Sequence, residues 1–290
     1  MALDTERIAL LFPGQGSQTP DMAGLVEAHR PDLAELARSE VSDDLFERAE
    51  DGTRWAQPAI FCAALAGYEV LKDRLQPALM AGHSLGEISA LVAAGALDAS
   101  DGLRLVAARA RLMQEAAEQT GDGGMLAVRA RERTTVEEVA EETGLAVAND
   151  NAPDQLVLSG GTAALDQAER RLSERKARAK RLPVAGAFHS ALMEPAVEPF
   201  REIVDRITVY EPAVPVMSCV TAAPFEDVRR QLVEAITRPV RWTEVLRGLH
   251  ARGATHFVET GPGRVLTGLT RKTLDGVEAE APLAMEAARA

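Results

Sequence analysis

The chain has 290 residues, with 44 Asp and Glu against 32 Lys and Arg, a formal charge of −12. That acidic balance argues against a nucleic-acid binder, which carries a basic excess; 46% hydrophobic and only 4% aromatic residues suit an Ala/Leu/Val-packed globular chain, not a disordered one. Cys62 and Cys219 form neither a disulfide framework nor a metal-ligand spacing, the opening MALDTERIALLF reads as neither signal peptide nor anchor, and no apolar run reaches the ~20 residues of a membrane span, so a reducing cytoplasm is the expected compartment.

Short apolar runs alternate with longer amphipathic ones, the pattern of an α/β fold on a parallel sheet. In chain order the periodicity predicts a strand over Ile8–Phe12, a helix over Gln57–Leu75, a strand over Ala78–Ala81, and helices over Leu85–Ala94 and Ala99–Glu118. The Gly121-Asp122-Gly123-Gly124 break then opens a different pattern. It runs strand Met125–Val128, helix Thr134–Thr143, strands Leu145–Ala148 and Gln155–Ser159, helix Thr162–Lys176 and strand Ala179–Pro183. That β-α-β-β-α-β order is ferredoxin-like and would fold as a lobe of about 65 residues. After Phe188-His189-Ser190 come a strand near Val214–Met217, helices over Val228–Ile236 and Trp242–Ala251, a strand over Thr255–Val258, and a helix over Arg264–Leu274. The charged, Ala-rich end reads as a loose tail or a terminal helix.

Gly82-His83-Ser84-Leu85-Gly86 is a Gly-x-Ser-x-Gly between a strand and a helix, the setting of a nucleophile elbow. A serine there has its hydroxyl exposed on a strained turn, the first helical N–H groups face a developing oxyanion, and a side chain at either glycine would collide with its neighbours. The plainer alternative, Ser84 as a helix N-cap, leaves both glycines unexplained. A serine nucleophile needs a base, and the chain has five histidines. His29 reads as surface, His250 as a helix C-terminal cation, His256 as sheet, and His83 as turned away from the serine along the elbow. His189 lies where the inserted lobe returns, beside an expected cleft, so it is either the base or a satisfied structural histidine. Arg109 falls on the stripe Leu105, Arg109, Leu112 and Ala116, opposite Arg104, Arg111, Glu115 and Glu118. An inward guanidinium must find an anion, either a protein carboxylate or one on a substrate.

These residues resemble the malonyl-CoA:acyl carrier protein transacylase family, which also occurs as the acyltransferase domains of polyketide synthases. Phe12-Pro13-Gly14-Gln15-Gly16-Ser17-Gln18 is similar to its opening loop, Gly82 to Glu87 to its nucleophile motif, and Arg109 with Met113-Gln114 to its carboxylate-binding helix. Asn149-Asp150-Asn151-Ala152-Pro153 with Gln155 resembles its small lobe, Gly186-Ala187-Phe188-His189-Ser190 its histidine motif, and Glu259-Thr260-Gly261-Pro262-Gly263 with Val265-Leu266 its C-terminal signature. The implied fold class is α/β. A large α/β-hydrolase-like domain with a parallel sheet (residues 1–123 and 190–290) would carry an inserted ferredoxin-like subdomain (residues 124–189).

The resemblance implies that Ser84 attacks the malonyl-CoA thioester with His189 as base. It also implies that the backbone N–H groups of Gln15 and Leu85 form an oxyanion hole, and that Arg109 binds the malonyl carboxylate. A phosphopantetheine thiol of an acyl carrier protein would then collect the acyl group, in a ping-pong transfer without metal or bound cofactor. The family orients its histidine by a backbone carbonyl at a position that is commonly Gln; here that position is Ala235, so a carbonyl role survives and a side-chain role would be missing. Phe188 and Leu85 match the malonyl-selective polyketide relatives, a bulky ring leaving little room for an α-methyl branch. Arg170, Arg171, Arg175, Lys176, Arg178, Lys180 and Arg181, against one acid, Glu174, form either a solvated face or a docking patch for an acidic carrier protein. Arg229, Arg230 and Arg241 are candidates to extend it.

A serine esterase or thioesterase shares the elbow but wants a triad acid and an apolar acyl pocket, against which Arg109 argues. A non-catalytic interaction module would not need Ser84, His189 and Arg109 together. Within the family, fatty acid synthesis is expected from the free-standing chain, with a polyketide pathway or a malonate decarboxylase subunit as alternatives. A monomer with no nucleic-acid or membrane partner is expected.

Overall fold

The computed structural model describes residues 7–184 and 186–287. From its start, β1 (Arg7–Phe12) leads through α1 (Met22–His29), α2 (Pro31–Glu40) and α3 (Thr53–Leu71) to β2 (Pro77–Gly82), then α4 (Gly86–Ala93) and α5 (Ala99–Thr120). β3 (Gly123–Arg129), α6 (Arg133–Thr143), β4 (Ala146–Ala152), β5 (Gln155–Gly161), α7 (Thr162–Glu174) and β6 (Arg178–Arg181) follow. A 3₁₀ turn (Ala191–Met193) precedes α8 (Glu194–Val204), β7 (Val216–Met217), α9 (Val228–Glu234), α10 (Trp242–Ala251), β8 (Ala254–Glu259), α11 (Val265–Thr273), β9 (Glu278–Glu280) and α12 (Pro282–Ala287).

Two sheets result. The first has the order β7-β2-β1-β8-β9 with every pairing parallel. Helices on both faces require strands apolar in both directions, and β1 meets that need by alternation. Leu10 and Phe12 join a core with Ile60 and Phe61 of α3, Ile88 of α4 and Val106 of α5. Ala9 and Leu11 join a separate core with Trp242, Val245 and Leu249 of α10 and Leu266 of α11. The second sheet, β4-β5-β3-β6, is antiparallel throughout, the strand order of a ferredoxin-like layer. Leu126, Val128 and Leu158 of its strands pack under Val139 of α6 and Leu165 and Leu172 of α7, while Met125 and Val157 on its other face join the core that holds Phe188.

The structure adds α1, α2, α8 and β9 to the elements expected from the sequence, and it moves two boundaries that matter. Helix α3 starts at Thr53, not Gln57, so Pro58 sits inside it and Thr53 and Gln57 share one face. Strand β4 runs on through Ala152, where it pairs with Gln155 of β5, and its other edge pairs with Val240 of a distant segment: Asp150 N–H donates to Val240 O (2.9 Å) and Val240 N–H to Ala148 O (2.9 Å). Among the described residues, no helix is long and apolar enough to cross a membrane.

Candidate active site

β2 ends at Gly82 and α4 begins at Gly86, and the turn between them holds Ser84 at φ 53°, a left-handed conformation that a residue with a Cβ adopts under strain. Both glycines are required by packing. A Cβ on Gly82 would sit 1.9 Å from the Gly86 carbonyl carbon, and one on Gly86 would sit 2.2 Å from the Phe12 carbonyl oxygen at the end of β1. The strand and helix therefore close on each other tightly enough to push the serine into the cleft between the two sheets.

His189 reaches Ser84 from the chain returning out of the antiparallel sheet. Its backbone is also left-handed (φ 56°), and Ser190 caps the turn that follows. Ser84 Oγ and His189 Nε2 are 2.8 Å apart. The other ring nitrogen, Nδ1–H, donates to two carbonyls, Ala235 O (2.9 Å) and Arg238 O (3.1 Å), which leaves Nε2 as the acceptor for the Ser84 hydroxyl. Carbonyls, not a carboxylate, thus accept from the ring on the side away from Ser84. Burial, then the Arg109 charge and then His83 push the His189 pKa down to about 3, so the ring is neutral at neutral pH.

Arg109 is 3% exposed on the inner stripe of α5. Its Nη1 donates to Gln57 Oε1 (2.6 Å) and its Nη2 to Ser84 Oγ (3.0 Å). Both partners are neutral, and no carboxylate lies within ion-pair distance of it among the described residues. Glu87, buried on α4, is the nearest countercharge, but its Oε1 accepts from the Cys219 N–H (2.6 Å). Burial pushes the Glu87 pKa up to about 7, against the Cys219 hydrogen bond and the Arg109 charge, and it pulls the Arg109 pKa down to about 10, against Glu87. Gln57 is held in turn: its Nε2 donates to Thr53 Oγ1 (2.8 Å), and Thr53 Oγ1 donates to Gln15 Oε1 (2.8 Å). Sequence reasoning passed over Gln57; its signal is a glutamine inside an otherwise apolar buried helix.

These groups line a cavity of about 240 Å³ between the sheets. Gln15, Leu85 and Phe188 line it too, and the backbone N–H groups of Gln15 and Leu85 have no hydrogen-bond partner among the described residues. His83, expected to turn away, also lines the cavity. Its ring stands edge-on to Trp242 (5.3 Å), and Nε2–H donates to Asn151 Oδ1 (2.8 Å), tying the elbow to β4. The basic stretch is less free than its sequence suggested. Arg171 and Arg175 pair with Glu142, Arg175 also with Glu138, and Arg181 with Asp166 and Glu169. Arg170, Lys176, Arg178 and Lys180 are exposed and without an ion pair among the described residues. Of the suggested extensions, Arg230 and Arg241 pair with neighbouring acids on their own helices, and Arg229 donates to the Ile207 carbonyl.

The family model described as "Acyl transferase domain" matches residues 10–285. The malonyl CoA-acyl carrier protein transacylase of Escherichia coli is 38% identical over 305 residues, covering 97% of this chain and 98% of that one. The polyketide biosynthesis protein ThaF of Burkholderia thailandensis is 40% identical over 281 residues, but the chain spans only 24% of its length. Among solved structures, the transacylase of Xanthomonas oryzae superposes with a TM-score of 0.89 at 35% identity, covering 98% of each chain. A malonyl-transacylase solved with its type II polyketide acyl-carrier protein gives 0.89 at 32% identity, covering 97% of this chain and 100% of that one. With a family model spanning residues 10–285 and a relative 38% identical along nearly its full length, the chain belongs to the acyltransferase family that includes the malonyl-CoA:acyl carrier protein transacylases.

Proposed function

We propose that the chain transfers a malonyl group from malonyl-CoA to the phosphopantetheine thiol of an acyl carrier protein. The carrying observation is Arg109, a buried cation whose hydrogen-bond partners among the described residues are neutral, 3.0 Å from the Ser84 hydroxyl. Such a charge is costly unless an anion reaches it, and a malonyl carboxylate supplies one where an acetyl group cannot.

In this reading Ser84 Oγ attacks the thioester carbonyl while His189 Nε2 takes its proton, and Nδ1–H stays on the Ala235 and Arg238 carbonyls throughout. The tetrahedral oxyanion is received by the Gln15 and Leu85 N–H groups, whose lack of other partners among the described residues supports the role. His189 returns the proton to the departing CoA sulfur, leaving a malonyl ester on Ser84. The carrier thiol repeats the sequence in reverse, giving its proton to His189 as it attacks, and Ser84 leaves with that proton. Every step uses groups of this chain and its two substrates. Phe188 against the cavity crowds an α-methyl branch and favours malonyl over methylmalonyl. We further read residues 124–189 as an inserted subdomain in a frame of residues 1–123 and 190–290, acting as a monomer in the cytoplasm, with Arg170, Lys176, Arg178 and Lys180 meeting an acidic carrier.

Fatty acid synthesis is the favoured setting, supported by the near full-length match to the Escherichia coli relative. A polyketide carrier is the second reading, favoured by ThaF and by the type II polyketide complex. Intact mass after brief exposure to malonyl-, methylmalonyl- or acetyl-CoA tests the reaction. A single malonyl adduct on wild type, absent in Ser84→Ala and discharged by carrier thiol faster than by water, is expected. Release of free malonate without carrier product would instead mean a hydrolase. Relative discharge rates to fatty acid and polyketide carriers decide the setting.

A further inference from the structure

The segment that orients His189 is itself held by the antiparallel sheet. Ala235 and Arg238, whose carbonyls accept from His189 Nδ1, lie just before Val240, and Val240 pairs with β4 through hydrogen bonds to Ala148 and Asp150. Two irregularities in the β4–β5 register, between Val147 and Asn149 and between Asp150 and Ala152, bracket this stretch, and such bulges re-aim side chains. Asn149 and Asn151 line the cavity. Asp150 between them is buried on the other side, 6% exposed, where its Oδ1 accepts from Thr243 Oγ1 (2.7 Å) in the first turn of α10 and its Oδ2 pairs with Arg133 Nη1 (2.7 Å). The carboxylate therefore sits at the positive end of α10 and ties that helix to β4. Asp150 itself is not among the residues that line the cavity, and the proposed transfer makes no use of it.

We propose that Asp150 is a positioning residue for His189. By fastening β4 to the start of α10, it fixes the 235–240 segment and with it the two carbonyls that aim the imidazole at Ser84. The inference rests on the transfer reading above. A looser segment would let the ring turn, and proton transfer tolerates little misplacement. The maximal rate of acylation should fall while binding of the donor carboxylate at Arg109, on the separate helix α5, stays the same.

The test is single-turnover malonylation of the full chain by quench-flow intact mass, for wild type, Asp150→Asn, Asp150→Ala and Thr243→Val. The second readout is the ¹H resonance of the His189 Nδ1–H, assigned by its loss in His189→Ala. Asp150→Ala is expected to lower the maximal rate at least tenfold with half-saturating malonyl-CoA unchanged within twofold, and to broaden the imidazole resonance. Thr243→Val should move both readouts the same way. Asp150→Asn, whose amide oxygen still accepts from Thr243, should recover most of the rate. A wild-type rate and an unchanged resonance in Asp150→Ala, whatever its melting temperature, overturn the proposal. Where that variant does not fold, the same result in Thr243→Val overturns it. Failure of the wild type to form any malonyl adduct overturns the transfer reading instead, and the resonance then decides the positioning role alone.

Discussion

Arg109→Ala separates the two things a buried guanidinium can do. Burial lowers its pKa from the ordinary 12.5 to about 10, which corresponds to a penalty of about 3 kcal/mol for keeping the charge in that place. A malonyl carboxylate arriving at Nη1 and Nη2 offsets a penalty of that size, and an acetyl group leaves it standing. Three kcal/mol converts to a discrimination of about a hundredfold. Arg109→Ala should therefore lower kcat/KM for malonyl-CoA by about a hundredfold or more, raise that for acetyl-CoA, and bring the two within tenfold of each other. Arg109→Lys keeps the charge without the fork and should fall between. The assay is the initial rate of acyl-enzyme formation with each thioester, read by intact mass. Melting temperature provides the control, because the Gln57 oxygen loses its partner and that alone costs about 1–3 kcal/mol of stability. A folded Arg109→Ala enzyme that still preferred malonyl-CoA a hundredfold would refute the argument and return Arg109 to a structural role.

Because His189 is held neutral down to about pH 3, the rate of malonyl-Ser84 formation should be flat from about pH 7 to about pH 5; an acid limb near pH 6.5 that persists in Glu87→Gln would contradict this. Glu87 has its folded pKa raised from 4.5 to about 7. Between those values the folded state holds a proton that the unfolded chain has released, so stability falls as pH rises across that window, by up to about 3 kcal/mol. Glu87→Gln should therefore melt higher than wild type at pH 8, with the difference closing below pH 4.5, as scanning calorimetry over pH would show. Reversing Lys176, Arg178 and Lys180 to Glu should lower kcat/KM for the carrier protein about tenfold at low salt and flatten its salt dependence. Acylation by malonyl-CoA should be untouched, and equal carrier rates would move the docking surface elsewhere.

Local chemistry made much of this molecule readable in its sequence. The apolar runs of β1, β2 and β8 and the capping glycine after α5 act within a few residues, as does the pair of glycines around Ser84. What escaped depends on distant partners. Asn149-Asp150-Asn151 reads as a loop by composition, yet it is strand because β5 pairs with it on one side and Val240 on the other. In α8, Ala196, Phe200 and Val204 form a clear inward stripe, but Pro199 in its middle masks the period. Helix α1 is only eight residues long and the polar helix α2 carries a short apolar stripe, so that only packing reveals their buried sides. For the site, sequence could name Ser84, His189 and Arg109 as chemistry in need of partners. It could not say what Gln57 would hold, or name the second carbonyl at Arg238, because those contacts are made between distant segments.

Ser84 and His189 share a backbone property unrelated to their side-chain chemistry, both being left-handed at φ near 55°. Each costs the folded chain about 1–2 kcal/mol relative to a relaxed residue, and glycine would relieve that at either position. The two residues proposed to carry the reaction are thus, with Lys176 and Ala222, among the four non-glycine residues of the described chain that glycine would relieve. A stabilisation scheme that scored conformational ease alone would converge on a sturdier protein with no activity. The packing around the two residues is what holds them in a strained conformation that neither would adopt alone.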